Sequence, residues 1–147
     1  MLAPRDPHSY ASHRVTEDSS LLLAEIASRE FTLAGTPADC VRVALTAVFQ
    51  DIDWVLSGIN RGGNLGSDLY TSGTVAAARE AAFLGKPAIA ISQYIKKGMP
   101  LEWDRSRELA RPVLPQILGQ GLPPQHHLTV NLPPPQDGYR AHTSICD

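Results

Sequence analysis

The residues with the most chemical promise lie in one stretch, Ser57-Gly58-Ile59-Asn60-Arg61-Gly62-Gly63-Asn64-Leu65-Gly66-Ser67-Asp68-Leu69-Tyr70-Thr71-Ser72-Gly73-Thr74, which holds five of the chain's eleven glycines. Glycine lets the backbone approach a ligand closely. Asn60 and Asn64 add amide oxygens, and Ser72 and Thr74 add hydroxyls just ahead of a helical pattern. Backbone N–H groups at a helix start, side-chain oxygens and freed loop amides together suit an anion held next to a hard metal ion. The common nucleotide loops do not fit. There is no G-x-G-x-x-G, and a P-loop reading that spaces Gly58 with Gly63 meets Asn64 where the phosphate-binding lysine would stand. A second reading of the same residues stays open: the glycines only turn the chain and Ser72 only caps a helix.

The elements around this stretch must position it. Residues 54–56 read as a short apolar strand that stops at Ser57-Gly58, and residues 72–84 as a helix whose alanines allow close approach to a sheet, with Gly85 as its C-cap. Residues 87–92 read as a buried strand, and 101–110 as an amphipathic helix that Pro112 and Pro115 kink or restart. Residues 127–132 give another strand before the rigid turn expected over 133–138. Upstream, 21–27 and 31–34 are strand candidates that can form a hairpin. Thr36 as N-cap, Pro37 in the first turn and Asp39 at the positive dipole end then start a helix expected to reach Phe49. Strands alternating with helices make an α/β fold with a mostly parallel sheet, which binds ligands at the carboxyl ends of its strands.

Composition narrows the class without naming a function. The 147 residues, 43% hydrophobic and 19% charged, suit one globular domain, and the formal charge of −2 argues against a nucleic-acid polymer as partner. No apolar run is long enough to span a bilayer and the first residues do not read as a secretory signal, so a cytoplasmic protein without a membrane partner is expected. Cys40 and Cys146 lie far apart without C-x-x-C spacing and read as reduced, non-catalytic thiols.

Three blocks, in order along the chain, resemble the SurE family, the survival protein E metal-dependent phosphatases of nucleoside monophosphates. They are Ala3-Pro4 with Ser9 and Val15-Thr16, then Gly35-Thr36-Pro37-Ala38-Asp39-Cys40, then Ser57-Gly58-Ile59-Asn60 through Ser72-Gly73-Thr74-Val75-Ala76-Ala77. Val130-Asn131-Leu132-Pro133 is similar to the family's later N-x-P strand end. The resemblance implies a three-layer αβα, Rossmann-like fold and a 5′/3′-nucleotidase activity. It places Ser9 and Asn60 at a metal site for Mg²⁺ or Mn²⁺ and Ser72, Gly73 and Thr74 at the phosphate, where Asn64 of the glycine loop is expected as well. Asp68 matches a recurrent family acid whose role stays open.

The family's Asn-Asp-Asp-Gly element, whose aspartates are the anionic metal ligands, has no counterpart, since the chain holds no Asp-Asp pair. By this resemblance the first strand and helix and a C-terminal extension are expected to be lacking, leaving residues 1–147 a single partial domain. Ser9 and Asn60 are neutral donors, so metal is expected to bind weakly. Asp6 and Asp39 are better read as turn and cap residues than as substitutes, and the adjacent His126 and His127 point to opposite faces of a strand. A fold without a central strand is expected to be marginal and association-prone, with a homo-oligomer among its states. Besides a nucleotidase of small phosphomonoesters, a non-catalytic phosphate-binding or subunit-interaction module remains as the alternative.

Overall fold

A computed structural model of the chain describes residues 1–96, 98 and 100–134. The turn expected at 133–138 lies largely outside these residues, and Cys146 wholly outside. Six strands and four α-helices run in the order β1 (Leu2–Pro4), β2 (Leu23–Ala27), β3 (Glu30–Leu33), α1 (Pro37–Val43), β4 (Val55–Arg61), α2 (Asp68–Thr71), α3 (Gly73–Phe83), β5 (Ala88–Gln93), α4 (Trp103–Gln120) and β6 (His127–Leu132). The strands make two three-stranded sheets. In one, β3 pairs antiparallel with β2 as the expected hairpin and parallel with β1; in the other, β4, β5 and β6 are all parallel.

β5 shows why the molecule is layered. It is buried along its whole length, and its alternating side chains serve two partners. Ala88 and Ala90 pack with Val75, Ala77, Ala78 and Ala81 of α3 and with Val41 of α1. Ile89 and Ile91 pack with Leu109, Ala110, Val113 and Ile117 of α4. Small residues face a helix that lies close, and branched residues face one that leaves more room. This is the expected α/β fold with helices on both faces of a parallel sheet.

α1 starts as its sequence predicts. Thr36 Oγ1 accepts the Asp39 N–H at 3.2 Å, and the Asp39 carboxylate accepts the Thr36 N–H at 2.8 Å, a reciprocal cap. The same carboxylate also accepts the N–H and hydroxyl of Thr16 at 2.8 and 2.7 Å, so the cap ties the long 5–22 segment to the helix. A second tie is Glu80 of α3, whose side chain is only 3% exposed and holds both His13 and Arg42.

Three boundaries differ from expectation. α1 ends at Val43 and continues as a π-helical turn, Ala44–Val48, instead of an α-helix to Phe49. α4 runs unbroken through Pro112 and Pro115. Each proline costs the helix a backbone bond, but both are exposed and lie off the stripe of Leu109, Val113 and Ile117, whose packing on the sheet offsets that loss. β4 does not stop at Ser57-Gly58 but continues to Arg61, which matters for the site.

β1 and β4 are each the edge of their sheet, and both line one cavity of about 1120 Å³ whose floor includes Pro37, Cys40 and Val41 of α1. Among the described residues no helix is long and apolar enough to cross a membrane.

Burial alone would raise the Asp39 pKa, but the bonds from Thr16 and Thr36 outweigh it and hold the carboxyl below its usual value. A depressed folded pKa adds stability that is present above the unfolded carboxylate value, about 3.9, and is lost as pH falls through the folded one. Urea melts should therefore show Asp39→Asn destabilised by about 2 kcal/mol at pH 7, with the gap to the unsubstituted protein closing as pH drops below about 4. Cys40 behaves oppositely, since burial and the neighbouring Asp39 charge push its thiol up to about 12. In a Cys146→Ser background, a disulfide reagent at pH 8 should modify Cys40 far more slowly in the folded protein than in urea, because the folded thiol stays protonated; equal rates would contradict this.

Candidate phosphate site

The bulge in β4 comes first, because it decides where Asn60 points. Ser57 pairs with Ala90 and Asn60 with Ser92, so β4 advances three residues while β5 advances two. Without the extra residue, Ser57 and Asn60 would face opposite sides of the sheet. With it, Asn60 lies beside Ser92 on the face that carries α3. Gly58 makes this possible: its φ is +134°, and a Cβ there would stand 2.3 Å from the Ile91 carbonyl oxygen. Asn60 Nδ2 donates to the Gly62 carbonyl at 2.8 Å, which orients the amide and leaves Oδ1 without a hydrogen bond among the described residues.

The opposite wall is the start of α3. Ser72 Oγ accepts the Val75 N–H at 3.2 Å, and the Ser72 carbonyl accepts the Ala76 N–H at 3.0 Å. The N–H groups of Gly73 and Thr74 have no acceptor among the described residues, and both residues line the cavity. Two free donors at the positive end of an eleven-residue helix form an anion-binding arrangement. Ser72 is thus a cap, yet its hydroxyl proton remains available to a ligand, because capping uses only the oxygen's acceptor capacity. Gly73 has no room for a side chain: a Cβ would lie 2.9 Å from Pro37 Cγ and 3.4 Å from the His8 carbonyl.

Of the residues singled out from sequence, Ser9, Asn60, Asn64, Ser72, Gly73 and Thr74 all line the same cavity, as does Asp68. Their situations differ. Ser9 is exposed in the 5–22 segment and makes no hydrogen bond with the described residues. Asn64 is only 6% exposed, and its Nδ2 donates to Ser92 Oγ at 2.6 Å, so the donor half of its amide is committed to the interior. Asp39 is a buried cap, as expected. His127 is half-buried, and its pKa is lowered by burial first and by Arg79, His126 and His13 after it.

Ser92 and Glu80 were not anticipated, and Asn131 was expected only as part of the N-x-P strand end, with no contact assigned to it. Ser92 and Asn131 sit at the carboxyl ends of β5 and β6, and a polar residue closing an apolar strand is the sequence signal for both. Glu80 stands out as an acid within the alanine-rich run of α3. Among the described residues no three His, Cys, Asp or Glu side chains cluster so as to hold a metal.

Parallel strands ending at a helix N-terminus, with a bulged strand carrying an amide beside the gap, define an α/β protein with a candidate ligand site at its sheet edge. The family model for survival protein SurE matches residues 1–147. The 5′-nucleotidase SurE of Halorhodospira halophila is 42% identical over 134 residues, 90% of this chain and 53% of that protein. A protein of Synechocystis sp. is 44% identical over 137 residues, 93% of this chain and 61% of that protein. The crystal structure of SurE protein from Aquifex aeolicus matches with a TM-score of 0.82 and 34% identity, over 90% of this chain and 54% of that one. The chain belongs to the SurE family. It spans between half and about three-fifths of the length of these relatives.

Gly58→Ala tests whether the bulge is obligatory. The methyl would meet the Ile91 carbonyl at a backbone angle that disfavours side chains, and a loss of about 2 kcal/mol or more is expected in urea denaturation. A variant as stable as the parent would show that Asn60 is not held by this bulge.

Proposed function

We propose that the cavity binds the phosphate of a nucleoside monophosphate or another small phosphomonoester, and that the chain carries this half of a 5′/3′-nucleotidase. The observation that supports the reading is the pair of N–H groups at Gly73 and Thr74, unpartnered among the described residues, on residues that line a cavity together with Asn60, whose amide oxygen likewise accepts no bond from those residues. The activity for which the relatives are named, 5′-nucleotidase, agrees with it. In this reading the N–H groups of Gly73 and Thr74 and the Ser72 hydroxyl donate to the phosphoryl oxygens. As charge builds on those oxygens during ester cleavage, fixed donors of this kind stabilise it without reorganising.

A divalent cation such as Mg²⁺ or Mn²⁺ would polarise the phosphoryl oxygen when bound. The two donors expected for it, Asn60 and Ser9, do not by themselves fit a tightly held one. Asn60 Oδ1 and Ser9 Oγ are hard oxygens of the right kind but carry no charge to offset the ion's dehydration. No step of the reaction is assigned to it. The lack of an acidic or imidazole cluster among the described residues favours a second reading, a module that binds phosphate without turning over an ester.

Calorimetry with inorganic phosphate and AMP, beside phosphate release from AMP with Mn²⁺ or Mg²⁺, separates the two readings. Phosphate binding that Ser72→Ala weakens, at a stability cost of about 1 kcal/mol from the lost cap, is the result expected of both. Metal-stimulated release abolished by Asn60→Ala marks the nucleotidase, and metal-independent binding without release marks the binding module. Asn60→Asp should tighten Mn²⁺ binding by about tenfold, some 1.4 kcal/mol, by adding the missing charge. Phosphate binding indifferent to Ser72→Ala would remove the site from this cavity.

A further inference from the structure

Asn131 holds the turn at Gly63-Asn64 through both hydrogen-bonding groups of one residue. Its Oδ1 accepts the Asn64 N–H at 2.8 Å and its Nδ2 donates to the Asn64 carbonyl at 3.1 Å. This is the pattern a strand residue receives from a neighbouring strand, supplied here by one side chain just beyond the sheet's end. Asn131 pairs in register with Ser92, and Ser92 Oγ accepts the Asn64 side-chain amide at 2.6 Å. Asn64 is thus gripped by backbone and side chain at once. Gly63 fits as closely, since a Cβ there would stand 2.9 Å from Tyr94 Cδ2 and 3.4 Å from Asn131 Oδ1. Gly63 and Asn64 line the cavity beside Asn60, Gly73 and Thr74, while Asn131 lies outside its lining.

We infer that Asn131 is a positioning residue, which acts from behind the cavity wall to fix the Gly63-Asn64 backbone and so sets the cavity's affinity for phosphate. The inference rests on the phosphate reading above. A side-chain amide offers a donor and an acceptor side by side without charge. Leucine keeps the volume and loses both. Aspartate keeps only acceptors when ionised and sets one against the Asn64 carbonyl, but once protonated it again presents one donor and one acceptor. A half-buried carboxyl beside a carbonyl oxygen takes up its proton above the ordinary carboxylate range, so this return falls at accessible pH.

The experiment compares the unsubstituted chain, Asn131→Leu and Asn131→Asp by amide hydrogen exchange between pH 7 and 4.5 and by calorimetric titration with inorganic phosphate. Asn131→Leu should raise Asn64 exchange at least tenfold relative to the parent while Ile91 in β5 keeps its protection, and should weaken phosphate binding several-fold. Asn131→Asp, which at pH 7 keeps an acceptor for the Asn64 N–H but opposes its carbonyl, should fall between the leucine variant and the parent at pH 7 and move to the parent's Asn64 protection, normalised to the parent at each pH, as the pH falls. Packing alone predicts no such return. Unchanged Asn64 exchange in Asn131→Leu, or no recovery in Asn131→Asp, overturns the clamp. If Asn131→Leu fails to fold, the aspartate titration decides alone. Phosphate binding by the parent that Asn131→Leu leaves intact overturns the positioning role by itself, whereas absence of phosphate binding by the parent overturns the phosphate reading and, with it, the claim on affinity.

Discussion

The close contact of α3 with β5 is the constraint on which the rest depends. It is made of alanines on both sides: Ala77, Ala78 and Ala81 against Ala88 and Ala90, all nearly inaccessible to solvent. Side chains this small hold the helix against the sheet, and so carry its first turn to the place where β4 and β5 end. A helix N-terminus is useful to an anion only where its free N–H groups face a ligand-sized space. A larger residue anywhere along this contact would move the two donors of Gly73 and Thr74 relative to Asn60, with the chemistry of each group untouched.

Around that contact the chain uses polar locks to hold segments that have no core of their own. The 5–22 segment contains no regular element, yet it is tied at Thr16 to Asp39, at Arg14 to Thr36, at Ser12 to Thr71 and at His13 to Glu80. Each tie satisfies a buried or half-buried group of a helix, so the segment completes the polar accounting of α1 and α3 while they hold it in place. The Gly63-Asn64 turn is fixed in the same way by Asn131 and Ser92. Both margins of the cavity are therefore held by hydrogen bonds from its surroundings, and this is how irregular backbone is kept at a defined position beside a ligand space.

Much of this was legible in the chain. The capping residues Thr36, Pro37 and Asp39, the alanine-rich period of α3 and its Gly85 terminus each carry a local signal, because the groups that must be satisfied lie within a few residues of one another. The alternation of strands and helices gives the parallel sheet, and the cluster of Asn60, Asn64, Ser72, Gly73 and Thr74 gives the lining of one cavity. Local signals misled where packing competes with propensity. Pro112 and Pro115 lie inside α4 because the stripe of Leu109, Val113 and Ile117 on the sheet outweighs two lost helical bonds. Gly58 reads as the end of a strand and is instead the bulge within one.

The sequence by itself determined which residue types would be present at the sheet edge and that no paired aspartates would be among them, because composition and short motifs are properties of the chain alone. Only the tertiary structure decided what each residue is free to do. Asn60 and Asn64 are four positions apart and chemically identical, yet Asn60 is turned by a bulge and its side chain bonds within its own loop, while Ser92 and Asn131 bind the side chain and the backbone of Asn64 from strands far along the chain. The physical reason is that a side chain's availability depends on its partners, and partners more than a few residues away are brought by packing, which no local pattern records.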